Sequence, residues 1–517
     1  MLRFAVFEGG SLAESMDLQH CHLLGPDDIG LPGEISFEDG HLVCDKKTVD
    51  AAALSLMVDA GKAGRLLLQT CLLPDRDEPY LLYLELARHR LKSFLVKLED
   101  WLLYELPLEH PVIKLWSDSR DTFTEAMIVA RSDPARSETL ARTALEQSIE
   151  ASENLAVMHA DALLARRYSD GRMPSGALGC RVHQTQFAEP LTKIIGADFD
   201  YISVPIRWCE IEPEEGQYDW SKLDRWMDWA RRKRFPVMAG PIIDFRSHSV
   251  PEWLYIWEHD YDTTHDLLHE HLEAVVTRYR DVVSVWNVAS SLHINANFTL
   301  AYDELMDVIR MATSLAKALH PGGKTMVEIS EPWGEYYAGN TRSIPPILFA
   351  ESLAQSGFKL DLIAVTLELG SQSQGRGMRD LMQISTLLDK LMYLNAPVVV
   401  SGIAAPSHRP KVEGPDGAGW WRETWTPAHQ GRWLSKVASL ALSKPYVESV
   451  CIQELFDHAT IDLPSSGLIT SNGRAKPALT EMGHVHSQLE SGTFRCSSPE
   501  ERIWVIEDLP SDSAYTM

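Results

Sequence analysis

From about residue 176 to residue 490 the chain alternates short apolar, β-like runs with helical stretches, and this alternation restricts the fold more than any other feature. The runs are LGCRV, DYISVPI, PVMAGPII, VVSVW, TMVEIS, LDLIAVTL, APVVVSG and ESVCIQ. Helical candidates between them include LDRWMDWARRKR, ELMDVIRMATSLAKALH and LMQISTLLDKLMYL. Strands separated by helices form parallel sheets, because a parallel connection needs a crossover long enough for a helix. Eight such units fit a closed (β/α)8 barrel of the TIM type, expected over residues 171–490. An open doubly wound sheet is the alternative, but no GxGxxG follows the first run, which weakens a dinucleotide-binding version.

The preceding sequence has a different texture. Residues 1–75 hold short apolar runs, LRFAVFE, ALSLMVD and GRLLLQTCLL, broken by clusters such as GPDDIGLPGE. These predict a small β-rich, sandwich-like domain. The period then changes. Leu84, Ala87, Leu91, Phe94, Leu98 and Trp101 recur at three-four spacing, the mark of an amphipathic helix. Asp133-Pro134 signals a second helix, with a stripe through Leu145, Ile149, Ser152, Leu155, His159 and Leu163 ending near Arg167. Residues 76–170 are therefore expected as a helical connecting region, with the main boundary at YSDGRMPSG and a tail over 491–517.

Composition excludes some functions. With 517 residues and a net charge of −25, the chain is a poor match for a phosphate backbone, so nucleic acid is not an expected partner. No run of 18 apolar residues suggests a membrane span. The N-terminus MLRFAVFEGGSLAES lacks the h-region and cleavage site of a secretory signal. Seven scattered cysteines without a CxxC pair then suggest reduced thiols, and a cytoplasmic location is the expectation. No cofactor and no metal are expected.

Barrel enzymes place their chemistry at the C-terminal ends of the strands. Those ends supply Arg207 and Trp208, Asp244, Trp286 and Asn287, Glu331 and Trp333, Glu368, Ser401, and Glu454 with Asp457. The Trp-rich loop GWWRETW, with Trp421 and Trp425, follows the seventh run. Indole faces stack on sugar rings while carboxylates and amides bond hydroxyls, so a carbohydrate ligand suits this inventory. Each single Trp or acid also has a plainer reading, as core packing or as a solvated loop residue.

The stretch RWCEIEPEEGQYDWSKLDRWMDWARRK resembles the second barrel unit of glycoside hydrolase family 10, with Arg207-Trp208, Glu212-Pro213, Gly216, Tyr218-Asp219 and Asp224 at matching places. Pro251-Glu252-Trp253-Leu254, YRDVVSVWNVASS, LDLIAVTLELG, APVVVSGI, the segment with Gln430 and Asp457, and GLITSNGRAKPAL follow in the family's order. The resemblance covers roughly residues 170–485 and implies a barrel related to endo-1,4-β-xylanases. It also exposes departures. Ser290-Ser291 stands where the family carries Asn-Glu, and Ser401, within one residue, stands at its nucleophilic Glu. Glu368 replaces a His, Thr366 a Gln, Pro241 a His and Val204 an Asn.

The family's retaining reaction needs two carboxyl groups about 5–5.5 Å apart, one an acid/base and one a nucleophile. A serine hydroxyl substitutes for neither without a base to activate it. Three readings follow. The barrel binds a β-1,4-linked, xylan-type glycan without the family's reaction. Alternatively it hydrolyses with a relocated pair drawn from Glu368, Glu331, Asp244, Glu454 and Asp457, with the simpler option that Glu368 pairs with Arg207. Or it is a scaffold, a homo-oligomer assembled through the N-terminal region.

Overall fold

The computed structural model describes residues 1–168, 176–246, 248–298, 300–358, 360–409, 418–458 and 463–492. The boundary expected at YSDGRMPSG and the C-terminal tail lie almost wholly outside these residues.

Eight parallel strands close a barrel: β1 (Leu178–Arg181), β2 (Tyr201–Val204), β3 (Val237–Ala239), β4 (Val283–Ser290), β5 (Lys324–Ile329), β6 (Leu362–Glu368), β7 (Val398–Ala404) and β8 (Val447–Ile452). Each pairs with the next, and β8 pairs back onto β1 through Gly179↔Cys451. The runs are short and almost continuously apolar because both faces are covered. Every residue of β6 and of β7 is buried. Strand β3 breaks after Ala239 and resumes as Ile243–Asp244, which pairs with Ala289 and Ser290 of β4. That extension carries Asp244 up to the mouth.

Three helices precede the barrel: α1 (Leu82–Asp100), α2 (Pro111–Val129) and α3 (Pro134–Arg167). The Asp133 side chain accepts the Arg136 N–H at 3.0 Å, and Pro134 takes the first helical position, where a missing N–H costs nothing. Helix α2 escapes the periodicity argument, although His110-Pro111 marks its start in the same way. No helix among the described residues is long and apolar enough to cross a membrane.

The N-terminal β-rich region forms two main sheets. One orders Tyr80–Leu81, Leu2–Ala5, His41–Lys46 and Gly33–Glu38. The other orders Trp420–Trp421, Gly64–Gln69, Ala53–Asp59, His22–Leu24 and Gly30–Leu31. The edge strand Trp420–Trp421 comes from the barrel's β7 loop and pairs with Gly64 and Arg65. The two regions therefore share one apolar core, running from Leu2 and Phe4 through Leu155 to Trp433.

Candidate functional site

Two adjoining clefts open at the C-terminal ends of the strands. The larger encloses about 700 Å³, counting the open water at its mouth, and the smaller about 280 Å³. Arg246 and Glu368 line both. Arg181, His183, Arg207, Asp244, Gln453 and Glu454 line the larger, while Glu331, Trp333 and Arg376 line the smaller. The strand-end rule thus places Arg207, Asp244, Glu331, Trp333 and Glu368 around one mouth.

The acids there are held in different ways. Asp244 receives the Arg246 guanidinium as a fork, with Nε at 3.0 and 2.9 Å and Nη2 at 2.7 Å, and also the Ser249 hydroxyl at 2.8 Å. Burial alone would raise its pKa, but Arg246 and these hydrogen bonds hold it below the usual carboxylate range. Glu368 accepts Gln453 Nε2 at 2.7 Å and lies 3.1 Å from Arg376. The partner suggested by the sequence, Arg207, instead pairs with Glu210 at 3.3 Å, one helical turn along its own chain segment.

Glu331 differs. Burial lifts its carboxyl from 4.5 to about 7, with Arg376 opposing and the carboxylates of Glu335 and Glu368 adding to the rise. Its backbone sits at φ 46°, in the left-handed region. Gly375 packs against it so closely that a Cβ at 375 would stand 2.7 Å from its carboxylate. Burial also raises Glu454, against the pull of His458 at 3.1 Å. It lowers His183 to about 4, helped by His458 and Arg207. The mouth therefore holds two carboxyls pushed in opposite directions, Glu331 raised in the smaller cleft and Asp244 lowered in the larger. Among the described residues no cluster of three or more His, Cys, Asp or Glu could hold a metal ion.

The serines that the sequence resemblance sets at the family's catalytic positions have hydrogen-bond partners of their own. Ser291 Oγ lies 2.7 Å from Ser330 Oγ and 3.0 Å from Ser290 Oγ, and Ser290 donates to Glu328 at 2.7 Å. Ser401 is 1% exposed and donates to the Val365 carbonyl at 3.3 Å. Beside it, a Cβ at Gly402 would stand 2.0 Å from Gln453 Oε1, so the neighbouring position has no room for a side chain.

Several expected ligand contacts lie elsewhere. Trp286 is fully buried and donates to His320 at 3.1 Å, on the helix-covered side of β4. Asn287 faces the barrel interior and donates to Glu328 at 3.2 Å. Trp208 is buried, bonds Glu212 at 2.6 Å and stacks on His271. Trp421 donates to Glu153 of α3 at 2.6 Å, and Trp425 packs edge-on to Trp433. Asp457 is paired with Lys476 at 2.8 Å. None of these six lines either cleft. Conversely, Arg246, Arg376 and Gln453 belong to the mouth. Gln453 ends a strand run and was legible there; the two arginines lie in polar loops with no distinguishing local pattern.

Comparison with known proteins places these features. Residues 172–321, spanning β1 to β4 and the helix after it, match the model of Glycosyl hydrolase family 10. Similar solved structures include native xylanase 10B from Thermotoga maritima, at 13% identity and TM-score 0.47, covering 63% of this chain and 99% of that one. They also include GH10 from Paenibacillus barcinonensis, at 17% identity and TM-score 0.46, covering 60% of this chain and 94% of that one. A third is an endo-1,4-beta-xylanase from Caldicellulosiruptor owensensis, at 17% identity and TM-score 0.45, covering 62% of this chain and 98% of that one. Over residues 172–321 the barrel of this chain is similar to glycosyl hydrolase family 10.

Proposed function

We propose that the mouth of the barrel binds a β-1,4-linked, xylan-type saccharide and does not hydrolyse it by the family's retaining reaction. The observation that carries this is the state of Ser291 and Ser401. Their hydroxyls are engaged by Ser330 and by the Val365 carbonyl, and among the described residues neither has a carboxylate or imidazole bonded to it. No nucleophile is generated from such a serine. The cleft still offers what sugar hydroxyls require. The carboxylates of Asp244 and Glu368 are fixed by guanidiniums, Arg207 lines the wall, and Trp333 stands alongside. Fixed charged acceptors make stronger and more directional hydrogen bonds than mobile ones.

Reducing-sugar release from xylan should match a buffer blank, while calorimetry with xylo-oligosaccharides should show heat. Robust release that vanishes in Ser291→Ala or Ser401→Ala would sink the non-hydrolytic reading. No heat at millimolar ligand would turn the case toward a scaffold.

A second reading is favoured by one observation. Glu331, lifted to about 7, lines the same small cleft as Glu368. An acid near neutrality beside a second carboxyl is the pairing that glycoside hydrolysis uses, one to protonate the leaving oxygen and one to stabilise the cationic ring or activate water. If hydrolysis is measured, it should disappear in both Glu331→Gln and Glu368→Gln and persist in Ser401→Ala.

A further inference from the structure

The N-terminal sheet meets the barrel on the face that carries the clefts. Leu67 donates its backbone N–H to the Met378 carbonyl at 2.7 Å and accepts Gln383 Nε2 at 2.9 Å. Gln19 Nε2 donates to the Gln372 carbonyl at 3.0 Å. Residues 372 and 378 flank Gly375 and Arg376, the part of the β6 loop that enters the smaller cleft. The β5 loop is gripped as well, since a Cβ at Gly30 would stand 2.9 Å from the Ala338 nitrogen.

The contact deepens into a buried ionic cluster. Glu335, 1% exposed, accepts the Gly375 N–H at 3.1 Å and pairs with Arg379 at 2.5 Å. The His20 ring nitrogen, from the N-terminal region, lies 3.8 Å from the same carboxylate. Burial would lift Glu335, but Arg379, His20 and His22 hold it well below the usual carboxylate range. On this side the cleft ends at Gly375 and Glu331, with Glu335 and His20 behind them. Opening a passage there would strip a buried carboxylate of its partners, a costly step. The larger cleft correspondingly takes its lining from the ends of β1, β2, β3, β6 and β8.

We propose that the N-terminal region backs the loops that end the cleft, so that the site takes a short oligosaccharide or a chain end and not the interior of a polymer. This rests on the saccharide reading above. A polymer interior needs a groove open at both ends, whereas on the side of β5 this one is backed by Glu335 and His20 behind Gly375 and Glu331. Only the rings seated between this backed side and the open side of the mouth can gain contacts.

The test is calorimetry of the intact chain with β-1,4-linked xylose oligomers, dimer through hexamer. Affinity should rise to the trimer and then stay within about twofold through the hexamer, since rings beyond the backed side gain no contacts. A further gain of about tenfold from trimer to hexamer would overturn the limit on length while leaving the saccharide reading intact. Heat with none of the oligomers would overturn the saccharide reading and the limit on length together.

Discussion

Arg376, from the loop that follows β6, lies within 3.1 Å of Glu368, while Gln453 donates to the other carboxylate oxygen at 2.7 Å. Glu368 is thereby fixed by two loops at the point where the clefts meet. Glu368→Gln keeps the shape and removes the charge. Saccharide affinity should fall about tenfold, or ~1.4 kcal/mol. Stability should fall by about 1–3 kcal/mol, because Arg376 loses its ionic partner. Unchanged affinity in calorimetry would show that the ligand does not touch this carboxylate.

Glu331 makes a pH prediction whose sign is fixed by its raised pKa. Its folded value of about 7 lies above the ordinary 4.5. The folded protein therefore holds the proton more tightly than the unfolded chain. The resulting stability is fully present below about pH 4.5 and is lost as pH rises through 7. Glu331→Gln imitates the protonated side chain and escapes the loss. Relative to wild type, the variant should gain on the order of 2 kcal/mol between about pH 5 and pH 9 in denaturant titrations. A difference that stays flat over that range would rule out a proton-retaining Glu331.

The barrel was legible because its strands are short apolar runs spaced by helices, a pattern that burial on both faces imposes directly. The site was less so, for reasons of direction and distance. Trp286 and Asn287 are adjacent on β4, so their side chains leave opposite faces, and only the three-dimensional fold shows that neither reaches the mouth. Trp421 sits in a loop whose destination is a strand near residue 64, a pairing that no local pattern encodes. Glu335 and Arg379 lie in loop segments that no local pattern marks, yet they are 1% and 4% exposed where the N-terminal region packs on the barrel. Glu331 and Asp244 were legible, since one lies two residues beyond a strand and the other ends one.

Gly402 and Gln453 share a space that only one side chain fits. A Cβ at 402 would stand 2.0 Å from Gln453 Oε1, and that oxygen is buried with no hydrogen-bond partner among the described residues. Gly402→Ala should cost about 1–3 kcal/mol, the usual penalty for overpacking. It should also weaken saccharide binding by pushing Gln453 off Glu368. Adding Gln453→Ala to the same chain should recover part of the stability but not the affinity. A double-mutant cycle with no coupling would contradict the contact.

Glu153 of α3 holds the barrel's β7 loop to the N-terminal region. It accepts Trp421 Nε1 at 2.6 Å, Arg422 Nη2 at 2.8 Å and the Leu381 N–H at 3.2 Å, and is itself 2% exposed. Burial and the neighbouring Asp380 raise its carboxyl pKa, with Arg422 opposing. Three residues, with four N–H groups because Arg422 also donates through Nε at 3.1 Å, converge on one carboxylate, so removing it leaves all of them wanting. Glu153→Ala should cost about 3–5 kcal/mol, the range for breaking a buried pair from one side. Glu153→Gln keeps one carbonyl acceptor and should cost about 1–3 kcal/mol. Arg422 is 41% exposed, so water replaces much of what its loss removes, and Arg422→Ala should cost about 1 kcal/mol or less. Urea titrations of the three variants should therefore rank Glu153→Ala above Glu153→Gln above Arg422→Ala. If Arg422→Ala proves as damaging as Glu153→Ala, the ion pair and not the convergence of donors holds the loop.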